Sequence, residues 1–187
     1  SPSCAGLYVP TQYPSLQAAM TAAQDGDTII VLDGIYTGPA NRNISFGSKS
    51  VALRSLNGPQ NCILDCQQLG RAFNFSGGSA SSPVLEGFTI RNGAGGFYGG
   101  AIYCYGNPAP VIRNCIFESN SADQGGAIML STTSPMIVNC IFRNNTGFVG
   151  GGAIIAYAAS PTVWNCSFSG NNSPAGRTIR SLNPNTY

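Results

Sequence analysis

The sequence contains no histidine, and only 9% of its 187 residues are charged. Without histidine, the side chain that most readily moves protons near neutral pH is missing, and so is the commonest nitrogen ligand for zinc. Seven cysteines are present, but no two are spaced Cys-x-x-Cys. A zinc site is therefore not expected, and nothing in the pattern calls for any other metal or cofactor. Basic residues are few and dispersed: eight Arg and one Lys, with a net charge of +2. A nucleic-acid partner needs a concentrated patch that neutralises phosphates, so that class is excluded. No apolar run reaches the length of a transmembrane span. The start, "SPSCAG", fits a mature chain from which a signal segment has been removed, and with it an extracellular or cell-surface location.

What is present is glycine (24), proline (12) and a 43% hydrophobic fraction. Disordered chains show the reverse balance, with high charge and low hydrophobicity. The length suits one domain over residues 1–187 with a substantial core.

One phrase recurs: "GGAIYCYGNPAPVIRNCIFESN" from Gly99, "GGAIMLSTTSPMIVNCIFRNN" from Gly125, and "GGAIIAYAASPTVWNCSFSGNN" from Gly151. Pro110, Pro135 and Pro161 stay in register at intervals of 25 and 26 residues. A fixed period of this size marks a repeat architecture. The copies are β-rich and broken by Gly, Pro and Asn, so each reads as three short strands rather than a helical hairpin. In the first copy these are "AIYCY", "VIR" and "CIFES".

Between the second and third strands stand Asn114, Asn139 and Asn165. Asparagine tolerates the left-handed backbone better than most residues, so each supplies a bend, and stacking makes an amide ladder. Alternation then sends Ile112, Ile137 and Val163 inward, with the columns Cys115, Cys140, Cys166 and Phe117, Phe142, Phe168. Ile116, Ile141 and Ser167 face out, and Glu118 can pair with Arg143 on the next rung. Cys4, Cys62 and Cys66 lie outside the repeat and are the better candidates for a bridge.

The fold class that follows is all-β: a right-handed parallel β-helix of about five rungs over residues 28–172. "YPSLQAAMTAAQDGD" reads as a helix that caps the coil within residues 12–27, with Ser15 as N-cap and Asp25-Gly26 as stop. Residues 173–187 read as an uncapped strand and tail, because Thr178-Ile179 begins another first strand. An open strand edge recruits partners, which makes Ile179 a candidate contact for self-assembly, even into filaments.

The "GGAI" motifs, together with Phe-x-x-Asn at Phe117/Asn120, Phe142/Asn145 and Phe168/Asn171, resemble the repeat of the polymorphic outer-membrane proteins. Those belong to the wider pectin-lyase-like right-handed β-helix group, whose N-terminal cap "YPSLQAAMTAAQDGDTIIVLDGIYTG" also resembles. The resemblance implies either a surface protein or an enzyme working from a groove outside the first-strand sheet. Hydrolases of the group use clustered aspartates, and its lyases use Arg or Lys bases. Here the outward first-strand positions are Ala101, Tyr103, Tyr105, Ala127, Met129, Ser131, Ala153, Ile155 and Tyr157. None of these titrates near neutral pH, and the seven acids are scattered. The chain is thus expected to be non-enzymatic: a structural or adhesin-type unit that binds itself or another protein. The apolar strip of Tyr103, Tyr105, Met129, Ile155 and Tyr157 forms its interaction surface. The alternative is a β-helix that binds or degrades carbohydrate, with the tyrosines stacking on sugars.

Overall fold

The computed structural model describes residues 6–78 and 81–182. Cys4 and the tail beyond 182 lie outside the described residues. Three parallel sheets wrap one core, each built from one strand per turn of the coil. The second-strand sheet has seven members: Gly6–Val9, Thr28–Val31, Ala52–Ser55, Val84–Glu86, Val111–Arg113, Met136–Val138 and Thr162–Trp164. The third-strand sheet has six, from Gly34–Tyr36 to Ser167–Ser169, and the first-strand sheet has six, from Ile44–Ser45 to Ile179–Leu182. The molecule is therefore a parallel β-solenoid of about seven turns.

The expected five rungs fall short because the early turns carry no doubled-glycine phrase. Gly6–Val9 shows only a short alternation of covered and open residues, yet it pairs in register with Thr28–Val31. The coil thus begins ahead of the helix rather than after it. The helix spans Leu16–Ala22, and Ser15 Oγ accepts from the Ala18 amide as its N-cap. Its end comes earlier than Asp25-Gly26: Ala23 already has an extended backbone. Leu16, Ala19 and Met20 are buried and close the end of the core.

In the repeats, the phrase resolves into physical requirements. Asn114, Asn139 and Asn165 have φ of 54°, 53° and 49°, and each turns the chain between two strands in a single residue. The doubled glycines do two jobs. Gly99, Gly125 and Gly151 have φ of 54°, 70° and 64°, where a side chain is strained. Gly100, Gly126 and Gly152 follow; a Cβ on Gly100 would run into the Gly126 carbonyl oxygen, and one on Gly126 into that of Gly152. Successive turns come too close here for any side chain.

The core is made of columns. Phe117, Phe142 and Phe168 stack with centroids 4.8 and 4.9 Å apart and rings within 10° and 6° of parallel. This is the strand spacing itself, about 4.8 Å. Leu53, Leu85, Ile112 and Ile137 are fully buried in the neighbouring sheet, and Val163 continues that column half-buried. Outside, charges alternate in sign between turns: Arg91 with Asp65 and Arg143 with Glu118, both at 2.9 Å, and Glu86 between Arg54 and Arg113 at 3.3 and 2.9 Å. Each exposed pair contributes little energy. Their alternation does oppose slipped registers that would stack like charges.

A fourth, short strand was not foreseen. Ser121–Gln124 and Thr146–Gly150 pair with each other on the way back to the first strand. These segments fold along the outer side of the first-strand sheet, and that placement shapes the candidate site.

Candidate functional site

The expected open strip on the first-strand sheet is largely covered. Met129 is only 4% exposed and Ile155 only 1%, and Ala101, Ala127 and Ala153 are buried as well. Sequence alternation does put Tyr103, Met129, Ile155 and Arg180 in one column. The returning fourth-strand segments then close over it. A Cβ on Gly151 would stand 3.0 Å from the Ile155 Cβ, so bare backbone packs directly on that side chain. Met129 and Ile155 are thus floor and filling rather than contact surface.

What stays open is a slot across the coil. On one turn, Tyr98 stacks on Tyr103 at 5.2 Å, and Tyr103 stacks on Tyr105 at 4.7 Å. The next turn contributes Gln124, Met129 and Ser131, and the turn after that contributes Tyr157. Tyr105, Ser131 and Tyr157 are in register on successive strands, so the two tyrosines stand about 9.6 Å apart at the backbone, twice the strand spacing. The cavity of about 260 Å³ lies between Tyr98 and Tyr103 on one side and Tyr157 on the other; Tyr105 backs Tyr103 without lining the cavity, and the lining holds no carboxylate. Tyr105 is 40% exposed and Tyr157 45%.

Behind the tyrosine wall lies Arg71. Its guanidinium sits 5.3 Å from the Tyr103 ring centroid and donates to the Gly95 carbonyl at 2.6 Å and to Asn74 Oδ1 at 3.0 Å. Burial pulls the Arg71 guanidinium below its ordinary range. Burial also pushes the Tyr103 phenol up, and neighbouring Tyr98 and Tyr105 add to the rise. Tyr103 is thus held from behind by the Arg71 guanidinium. Arg71, Tyr98 and Gln124 were missed in the sequence because they lie outside the first strand; Tyr98, directly before Gly99-Gly100, was the available signal.

Ile179 pairs with Ile154 and belongs to the inward column, although it is 43% exposed. It stands on the last described turn, where no described residue stacks beyond it. Arg180 lies beside Gly150.

Two asparagine ladders run along the coil. On the outside, Asn139 donates to Asn114 Oδ1 at 3.4 Å, and Asn165 to Asn139 Oδ1 at 2.7 Å. The second ladder is internal and was not anticipated. Asn120 and Asn145 are buried, and the side-chain amide of each donates to the amide oxygen on the following turn: Asn120 to Asn145 at 3.0 Å, Asn145 to Asn171 at 2.8 Å. Each also donates to a strand carbonyl, of Ile90 and Phe117 respectively. The Phe-x-x-Asn pattern was visible; its partners were not.

Cys115, Cys140 and Cys166 form a column of thiols that donate to backbone carbonyls. Cys62 and Cys66 are buried free thiols and do not bridge each other. Burial pushes both to about 12, with Asp33 adding for Cys62 and Asp65 for Cys66. The side-chain hydrogen bond that the Cys140 thiol gives to Cys115, with burial, takes Cys140 to about 12. Asp33 and Asp65 are separately engaged: Asp33 with Asn57, Asp65 with Arg91 and Asn92. Among the described residues no helix is long and apolar enough to cross a membrane.

Stacked parallel sheets, one-residue asparagine bends and column packing define a parallel β-solenoid. Residues 34–185 match the family described as the right-handed beta helix region, and the chain belongs to that family. Neither a search of curated proteins nor a search of solved structures returns a match.

Proposed function

We propose that this is a non-enzymatic binding β-helix of adhesin type, acting at or outside the cell surface and holding a glycan in the tyrosine slot. The observation that carries this reading is the slot itself: Tyr98 and Tyr103, stacked on each other and backed by Tyr105, face Tyr157 two turns on, across a floor of Gln124, Met129 and Ser131. Aromatic walls with a few polar groups suit the apolar faces and hydroxyls of a sugar ring. At about 260 Å³ the slot lies just under the usual small-molecule range of about 300–1,000 Å³, so it suits a single ring of an extended polymer. Acid–base cleavage of glycosides ordinarily uses two carboxyl groups flanking the bond. The slot lining has none, which favours binding over turnover. The likeness of the "GGAI" and Phe-x-x-Asn motifs to the polymorphic outer-membrane protein repeat supports a surface role.

The test is affinity electrophoresis and glycan-array binding with the intact chain, with Tyr98→Ala and Tyr157→Ala alongside. Retardation by at least one neutral polysaccharide, lost in both variants at unchanged melting temperature, supports the reading. Binding to no glycan, or equal binding by the variants, overturns it. Release of reducing ends or unsaturated sugars would overturn the non-enzymatic part.

A further inference from the structure

The chain has seven carboxylates, and six are held by partners. Asp25 accepts from the Ser50 amide and Asp27 from the Gln24 amide. Asp33 accepts from Asn57, and Asp65 from Arg91 and Asn92. Glu86 lies between Arg54 and Arg113, and Glu118 pairs with Arg143. Asp123 is the exception: among the described residues nothing hydrogen-bonds or pairs with its carboxylate.

Its position is specific. Asp123 lies on the fourth-strand segment Ser121–Gln124, whose pairing with Thr146–Gly150 shifts by one residue between Ala122 and Gln124. Phe97 stands on the turn before and Phe148 on the turn after. These rings, with Ala94, Gly96, Ser121, Ala122 and Asp123, enclose a cleft of about 270 Å³. Phe97 is 73% exposed and Phe148 56%, so both rings are held at the surface. Neighbouring Gln124 lines the tyrosine slot instead. The cleft is therefore a separate site.

We infer that this cleft binds a basic side chain, lysine or arginine, presented by a partner protein. Two aromatic walls two turns apart, about 9.6 Å at the backbone, leave a cation midway within the roughly 6 Å over which ring faces attract it. The unpaired Asp123 carboxylate supplies the complementary charge, and the Ser121 hydroxyl supplies a further acceptor. An apolar occupant would leave Asp123 desolvated without compensation, which selects a cation over a hydrophobic side chain. A protein side chain fits the open, shallow shape, because its backbone can remain outside while the charged end reaches Asp123.

The experiment is an NMR titration of the full chain at low salt with Nα-acetyl-lysine methylamide and Nα-acetyl-arginine methylamide. The uncharged norleucine analogue and tetramethylammonium serve as comparison probes. Saturating shifts of the Gly96, Ser121 and Asp123 amides with either basic probe, at concentrations on the order of millimolar, are expected. Asp123→Asn should weaken that binding about tenfold, and Phe148→Ala should weaken it by a similar factor; both positions are at the surface, so melting temperature should hold. Absence of shifts, or norleucine binding as well as lysine, would overturn the inference. Tetramethylammonium binding far more tightly than either basic probe would also overturn it, in favour of a small quaternary ammonium ligand.

Discussion

Asn145 donates its side-chain amide to Asn171 Oδ1 at 2.8 Å and to the Phe117 carbonyl at 3.0 Å, with the residue wholly buried. Its own oxygen accepts from the Asn120 backbone and side chain, both at 3.0 Å. One side chain therefore satisfies polar groups on three successive turns inside the core.

Removing it should be costly. Asn145→Ala leaves several buried groups without partners, each costing about 1–3 kcal/mol, so a loss of about 2–4 kcal/mol is expected after relaxation. On the outer ladder, Asn139→Gly keeps the left-handed bend and exposes the freed groups to solvent. It should stay within about 0.5 kcal/mol of the parent. Urea denaturation of both variants checks the contrast; equal losses would show that the internal ladder has no special weight.

Phe142 sits between two parallel rings and is fully buried. Phe142→Ala should destabilise by about 3–5 kcal/mol through lost burial and the cavity left behind. Phe168→Ala, on the half-buried end of the same column, should cost clearly less. Chemical denaturation midpoints at constant slope measure both.

Alkaline pH should unfold the chain early. The folded-state thiols of Cys62, Cys66 and Cys140 are raised from 9.0 to about 12, and burial raises Cys104 to about 11. Raised values mean that the fold binds protons the unfolded chain releases. Stability from these groups is complete below about pH 9 and is lost as pH rises toward 11–12. Each thiol contributes up to about 1.4 kcal/mol per pH unit within that window. Melting temperatures from pH 7 to 10.5 test this; Cys104→Ser, which keeps a small hydrogen-bonding side chain, should flatten the slope.

In the slot, Tyr157→Phe should retain most glycan binding if ring stacking dominates, whereas Tyr157→Ala should lose it. Loss in both would assign the main role to the hydroxyl. Parallel affinity electrophoresis separates these outcomes.

Ser131, on the slot floor between Tyr105 and Tyr157 in register, offers a steric test. Ser131→Trp should fill the space between the walls and abolish binding while leaving strand pairing intact, read by circular dichroism and glycan retardation together.

The sequence by itself determined the repeat, and with it the columns: a 25- or 26-residue period places Asn114 beside Asn139 and Phe117 beside Phe142 whatever the details of the coil. It also determined the left-handed bends and the doubled glycines, since these are local backbone demands. It could not show every early turn, because Gly6–Val9 and Gly34–Tyr36 pair in register without repeating the phrase. Nor could it show that Met129 and Ile155 are covered. Alternation says which side of a strand a residue takes, but only the return path of Ser121–Gln124 and Thr146–Gly150 decides what lies on that side. The same path separates Gln124 from Asp123, turning one toward the tyrosines and leaving the other alone between Phe97 and Phe148. Such placements depend on contacts between turns, and residues some 25 positions apart in sequence meet only once the solenoid has stacked.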